Sequence, residues 1–295
     1  ISGNLHMSGT KTYSFPFTTE AEVIFPRGTS PSEYAFSRAY NELTSSLFGA
    51  HTALQPQYAG EDSDLPDLGW ESADPANFQV YAIRKTTDDN VIGGKGYTNR
   101  DAYFKLTGTA GTFLETSGEA FPELTSSVFR DIYDNRKWNF AVRVKPTKYP
   151  LAGHVSGSQE SSDSGEANTY TTSYTVEFYG VNTDTDIVSN EFLVSGTISK
   201  TQGEQFLSSS KRLYAGAHRT NFTGTLRELT DVKFSSLRCW LDYLDNQTIK
   251  MHARDPHNYG RIHPYKPAYL FEVLDGAHTS GMPYVPQIET LALNW

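Results

Sequence analysis

The stretch that most restricts how this chain can fold is 211–252, KRLYAGAHRTNFTGTLRELTDVKFSSLRCWLDYLDNQTIKMH. It opens on a short apolar run, LYAGA at 213–217, whose small residues let another backbone or a bulky side chain approach closely. A turn at NFTG, 221–224, leads to a second short strand through Leu226, then to DVKF at 231–234 and LRCW at 237–240. Successive strand side chains point to opposite faces, so the parity of apolar residues reports which face is buried. Here it runs Val232, Phe234 and then changes to Leu237, Cys239, Leu241, which predicts a bulge or a change of sheet face at Ser235 and Ser236. Asp245 is placed to cap one short helix over 246–254, with Ile249 and Ala253 on one side.

Elsewhere short strands recur without intervening helices, which points to antiparallel layers rather than a parallel sheet. Residues 5–25 read as an opening pair of strands, with Pro16 marking an edge. LTSSLFGAH at 43–51 reads as a buried strand, and NFQVYAIR at 77–84 as a half-buried one carrying Phe78, Val80 and Ala82 on one face. Residues 102–107 pair back onto it. A strand at 128–133, a turn at 134–137 and a strand led by Trp138 follow, then strands at 170–181 and 191–198. Residues 34–40 suit helix or strand equally. Loops rich in Pro, Gly, Ser and acids fall at 55–76 and 153–168. Trp138, Phe178 and Trp240 are expected between two layers, with Cys239 a small buried residue.

This order of parts resembles the closing segment of laminin-G-like domains in the concanavalin A-like lectin/glucanase group. The family pattern is a LYIGA-type strand, an F-x-G turn, a strand of D-x-R-aromatic type and a short helix opening on Leu and reaching an Ile. The matching residues are 213–217, 222–224, 231–234 and 244–249. The turn and Trp138-led strand over 134–145 are similar to a second family pattern. The resemblance covers roughly residues 5–255. It implies an all-β, antiparallel jelly-roll β-sandwich over 1–255 with one short helix near its C-terminal end. Residues 256–295 then read as a proline-rich extended arm leading into a following domain. The chain starts at Ile1 and stops just after a strand-like run, and is expected to be an excerpt of a longer polypeptide.

Charge and cysteine content narrow the partners. A net charge of −9 with no basic run argues against nucleic acid, whose binding needs clustered cations. Cys239 is the single cysteine, so no internal disulfide and no cysteine-rich metal site can form. No window approaches the roughly 18 consecutive apolar residues of a membrane-spanning helix.

The enzymatic reading fails on spacing. Retaining glycosidases hold two carboxylates about 5 to 5.5 Å apart, and in the resembling glucanases these lie on one strand as E-x-D-x-x-E. No such run occurs here, so no catalytic residue is assigned and the chain is read as non-enzymatic. His252, His257 and His263 match no zinc spacing and read as surface or interface histidines, while His218 reads as a loop anchor. No cofactor is expected beyond calcium. Asn182, Asp184 and Asp186 place oxygen-bearing side chains at alternate positions, as a calcium loop does, although Asp and Asn are also ordinary hairpin residues. For a glycan, which needs an aromatic face and planar polar groups, the candidates are Trp70, Tyr97, Asn99 and Arg100, with Tyr58 beside them. Packing against neighbouring subunits or domains would use the same loop aromatics.

The chain is also similar to lectin-like domains of large bacteriophage structural proteins and large extracellular bacterial proteins. What this implies is a non-catalytic structural or adhesion module, on a virion or outside the cell, with a cell-surface glycan, further copies or neighbouring domains as partners. A carbohydrate-binding module of a polysaccharide-degrading enzyme and a glycoside hydrolase with displaced carboxylates are the alternatives.

Overall fold

In AYFKLT the apolar Ala102, Phe104 and Leu106 are buried while Tyr103, Lys105 and Thr107 are half-buried, as in a strand with one face in a core. The same rule builds the rest of the computed structural model, which describes residues 5–8, 11–14, 16–27, 42–52, 76–85, 99–108, 122–147, 173–208, 211–219, 226–255 and 291–295.

Five strands form one antiparallel sheet in the order β11 (Lys211–Ala215), β4 (Thr44–Thr52), β5 (Ala76–Arg84), β6 (Ala102–Thr107), β7 (Leu124–Thr125). Six form a second: β10 (Ile187–Ser199), β9 (Ser173–Asp184), β8 (Arg136–Pro146), β3 (Phe17–Phe25), β14 (Lys233–Trp240), β15 (Leu291–Asn294). Two hairpins, β1 (Leu5–Ser8) with β2 (Lys11–Ser14) and β12 (His218–Arg219) with β13 (Leu226–Glu228), complete the described strands. Every pairing is antiparallel.

The two sheets face each other over an aromatic core. Phe104 of the five-stranded sheet meets Phe140, Trp138 and Phe25 of the other at ring-centroid distances of 4.6, 4.9 and 5.8 Å. Edge-to-face and offset contacts of this kind add to the burial free energy of each ring. One end of the core is closed by helix α1 (Lys200–Ser208), whose Phe206 lies 5.6 Å from Phe17 and 6.2 Å from Phe78.

The outer face of the six-stranded sheet is covered as well. Helix α2 (Asn246–Arg254) lies across β8 and β9, and Ala141, Tyr179, Val181 and Trp240 pack with its Ile249 and Ala253 as a second cluster. That is why β8 and β9 are buried on both faces while β10, beyond the helix, alternates.

The predicted bulge is present: the register of β14 against β3 shifts between Phe234 and Ser236. The helix over 246–254 is present too, with Asp245 accepting from the Thr248 N–H at 2.7 Å. Several expectations are corrected. Pro16 precedes β3, which is not an edge but lies between β8 and β14. Residues 128–133 form no strand; Phe129 makes an isolated bridge to Ala102, and Asp131 turns the chain at φ 51°. Trp240 lies outside the inter-sheet core, beneath α2, because Cys239 takes the inward position. Helix α1 was not expected, although Ser199 and Gln202 form its capping box: Gln202 N–H donates to Ser199 Oγ and Ser199 N–H to Gln202 Oε1, at 3.3 and 3.2 Å. Of the proline-rich stretch, 256–290 lies outside the described residues and Leu291–Asn294 pairs with β14.

Candidate functional site on the outer face of the five-stranded sheet

The alternation that sends Phe78, Val80 and Ala82 inward turns Gln79 and Tyr81 of β5 outward, beside Ser46 and Gly49 of β4 and Lys105 and Thr107 of β6. Tyr214 of β11 stands in register with Gly49, and its ring occupies the space a side chain there would fill: a Cβ on Gly49 would sit 2.7 Å from Tyr214 Oη. His218 crosses the same face from the β12–β13 hairpin. Its ring stacks on Tyr214 at 5.4 Å and 11°, and His51 closes the group at 5.1 Å from Tyr214 and 5.4 Å from His218.

Hydrogen bonds join this aromatic group to Gln79 and Tyr81 in a closed circuit. Gln79 Nε2 donates to His218 Nε2 at 3.2 Å, His218 Nδ1 donates to Tyr81 Oη at 3.1 Å, and Tyr81 Oη donates to Gln79 Oε1 at 2.8 Å. The circuit requires neutral imidazole protonated on Nδ1, because a second N–H would point at the Gln79 amide donor. Burial, and then the neighbouring His51 and Arg227, push the His218 pKa down to about 4. Tyr214 is held well above the usual phenol value, chiefly by burial. His51, Gln79 and His218 form a buried floor, while Tyr81, Tyr103, Lys105, Thr107 and Tyr214 are half-buried around it. Lys105 is paired with Glu123 at 2.7 Å. Flat rings beside fixed, neutral donors and acceptors suit an uncharged hydroxylated ligand better than an ion.

The loop residues named from the sequence sit elsewhere. Trp70, Tyr97 and Tyr58 lie outside the described residues. Asn99 and Arg100 are brought to one rim but are tied into the fold there. Asn99 Nδ2 donates to Lys85 O at 2.6 Å, its Oδ1 accepts from the Asp101 N–H at 2.9 Å, and its carbonyl takes Arg84 Nη1 at 2.8 Å. The same Arg84 pairs with Asp231 at 2.9 Å, both side chains being fully buried, and its guanidinium lies 3.2 Å from the Tyr133 ring. Arg100 faces Asp134 at 3.6 Å.

The three calcium candidates are not gathered. Asn182 is buried, donating to Lys137 O at 2.6 Å and accepting from Asn190 at 3.4 Å, while Asp184 and Asp186 flank the β9–β10 turn in solvent. Thr185 between them has φ 54°, a hairpin conformation. Among the described residues no three His, Cys, Asp or Glu side chains are grouped to hold a metal.

His252 is not a surface residue. It lies on the buried face of α2, with Nδ1 at 2.9 and 3.0 Å from the two oxygens of Glu20, which also accepts from Trp240 Nε1 at 3.0 Å and faces Arg238 at 3.4 Å. This cluster fastens the helix to the sheet. The signal for the outer-face site was legible only in part: Gln79 and Tyr81 fall at alternate positions of a recognised strand, but their meeting with Tyr214 and His218 is set by pairings across more than a hundred residues. Compared with known proteins, the chain matches no family model, and no curated protein or solved structure matches it.

Proposed function

We propose that this chain is a concanavalin A-like, laminin-G-like jelly-roll module that acts without catalysis. It serves adhesion or assembly in a large virion or extracellular protein and takes a neutral glycan on the outer face of its five-stranded sheet. The observation that carries the reading is the closed Gln79–His218–Tyr81 circuit set against the stacked Tyr214, with Tyr81, Tyr103 and Tyr214 left half-buried at the surface. Such a surface offers a sugar ring apolar faces to stack on and fixed polar groups for its hydroxyls, at little ordering cost. The resemblance supports the fold, and the two facing antiparallel sheets and the short capped α2 near the end of the domain are in line with it. Among the described residues that β4, β5, β6 and β11 turn to this face, none is a carboxylate.

A glycan array followed by calorimetry tests the proposal. Binding to a neutral oligosaccharide is expected, and Tyr103→Ala, a half-buried ring outside the circuit, should weaken it about tenfold without lowering the melting temperature. An empty array, or affinity untouched by Tyr103→Ala and Tyr81→Phe alike, removes this face from consideration. Release of reducing sugar from a polysaccharide panel would instead favour a hydrolase.

A further inference from the structure

We infer that two copies of this chain join edge to edge through β10, about a two-fold axis at Leu193. β10 is the outermost strand of the six-stranded sheet, and among the described residues only β9 pairs with it. Among the described residues the other edge strands of the two large sheets are short, β15 with 4 residues, β11 with 5 and β7 with 2, whereas β10 runs for 13. An edge presents a row of backbone donors and acceptors that templates another strand, so proteins blunt long edges with lysine, proline or inward-pointing charge. IVSNEFLVSGTIS carries neither lysine nor proline. Its one ionisable side chain, Glu191, is already engaged by Lys250 at 2.8 Å and by Tyr179 Oη at 3.0 Å.

Three features select a second copy as the occupant. The sheet is antiparallel throughout, and a two-fold axis makes any strand antiparallel to its own copy. Leu193 is the midpoint of β10 and is 48% exposed, a large apolar residue facing water at the position where a strand paired with its own copy about that point meets its own image. In that register the two Leu193 side chains stand opposite, with Cβ atoms about 5 Å apart, and Glu191 faces Ser195 of the second copy, so no like charges meet. The register shift between Val188 and Asn190 ends the regular ladder, so about an axis at Leu193 the pairing runs over residues 190–196 of each copy. The ligand face belongs to the other sheet, so this inference does not rest on the glycan reading and either can fail alone.

Sedimentation velocity of the full chain over roughly 1 to 100 µM tests it. The expected species at the upper end has twice the 32.9 kDa chain mass. Leu193→Lys and Leu193→Glu each set a charge against its own image and should weaken the dimer more than about tenfold, while an equimolar mixture of the two restores it, Lys facing Glu. Leu193→Cys should crosslink to a dimer on oxidation, since the native Cys239 is buried. A chain that stays monomeric throughout the range, including one whose edge is covered by its own residues, overturns the proposal. So does a dimer indifferent to both charge variants and not crosslinked by Leu193→Cys.

Discussion

Glu20 and His252 are separated by 232 positions in sequence, yet the imidazole Nδ1 lies 2.9 and 3.0 Å from the two carboxylate oxygens, joining α2 to the central strand β3. Burial alone would raise the Glu20 pKa, but the charge and hydrogen bond of His252, with Arg238 and Trp240, outweigh it and hold the group below its ordinary 4.5. A carboxylate whose folded pKa is depressed stabilises the fold above its ordinary value, and that contribution is lost as pH falls through the folded pKa. Acid should therefore release α2 below about pH 4.5. Trp240, stacked on His252 at 5.4 Å and 17°, reports the release by fluorescence. Glu20→Gln should cost about 3–5 kcal/mol at neutral pH, as breaking a buried pair does, and should remove this acid transition. An unchanged acid midpoint in the variant would assign the transition to other carboxylates.

Gly49→Ala tests whether the outer-face site depends on a missing side chain. The new Cβ would meet the Phe78 carbonyl oxygen on one side and Tyr214 Oη on the other, and backbone in a paired sheet cannot move aside cheaply. A loss of about 1–3 kcal/mol is expected in denaturant unfolding, together with displacement of Tyr214 from His218, visible as a change in the aromatic NMR shifts of both. Full stability with unshifted resonances would mean that the ring is not seated over Gly49.

What could be read from the sequence depended on range. The bulge at Ser235 and the Asp245 cap were legible because each is decided within about ten residues, one by side-chain parity and the other by a short polar side chain reaching the nearest N–H groups. The capping box of Ser199 and Gln202 was equally local, but Gly203 in the next position lowers helix propensity and conceals it. Longer-range outcomes were not legible. An acid on a strand, such as Glu20, reads as solvent-facing unless one knows that a helix opening 226 residues later will cover it, bringing its own His252 to the carboxylate and burying Trp240. Likewise Tyr214 and Gln79 became neighbours only through β4, which pairs with both their strands.

His218 should remain neutral well into acid. Its folded pKa of about 4 lies below its ordinary 6.5, so the unfolded chain binds its proton first. The stability contributed by the neutral circuit is thus full above pH 6.5 and shrinks as pH falls toward 4, while the circuit itself stays closed in the folded chain until His218 protonates near 4. A histidine NMR titration should place the His218 midpoint near 4, and glycan affinity, a property of the folded chain, should hold down to that midpoint and decline through it. A midpoint near 6.5 would mean that the circuit with Gln79 and Tyr81 is not closed in solution.

Lys211 offers a case in which two opposing effects can be ranked. Its Nζ donates to the carbonyl of Phe206 in the last turn of α1, a favourable place for a cation. It is nevertheless buried, 4.5 Å from the Phe206 ring centre and 5.6 Å from that of Phe17, and burial pulls its pKa from 10.5 down to about 7, against a small opposing pull from Cys239. The unfolded chain holds this proton up to 10.5 and the folded chain only to about 7, so stability should rise with pH across that window. Lys211→Met keeps the length and discards the charge. The lost hydrogen bond costs about 0.5–1.5 kcal/mol, less than desolvating an ammonium in an aromatic pocket. The variant should therefore be more stable at pH 7, by about 1–3 kcal/mol, and the difference from wild type should shrink as pH approaches 10.5, which melting curves at several pH values would follow. A lower melting temperature for Lys211→Met at pH 7 would reverse the ranking and make the bond to Phe206 the larger effect.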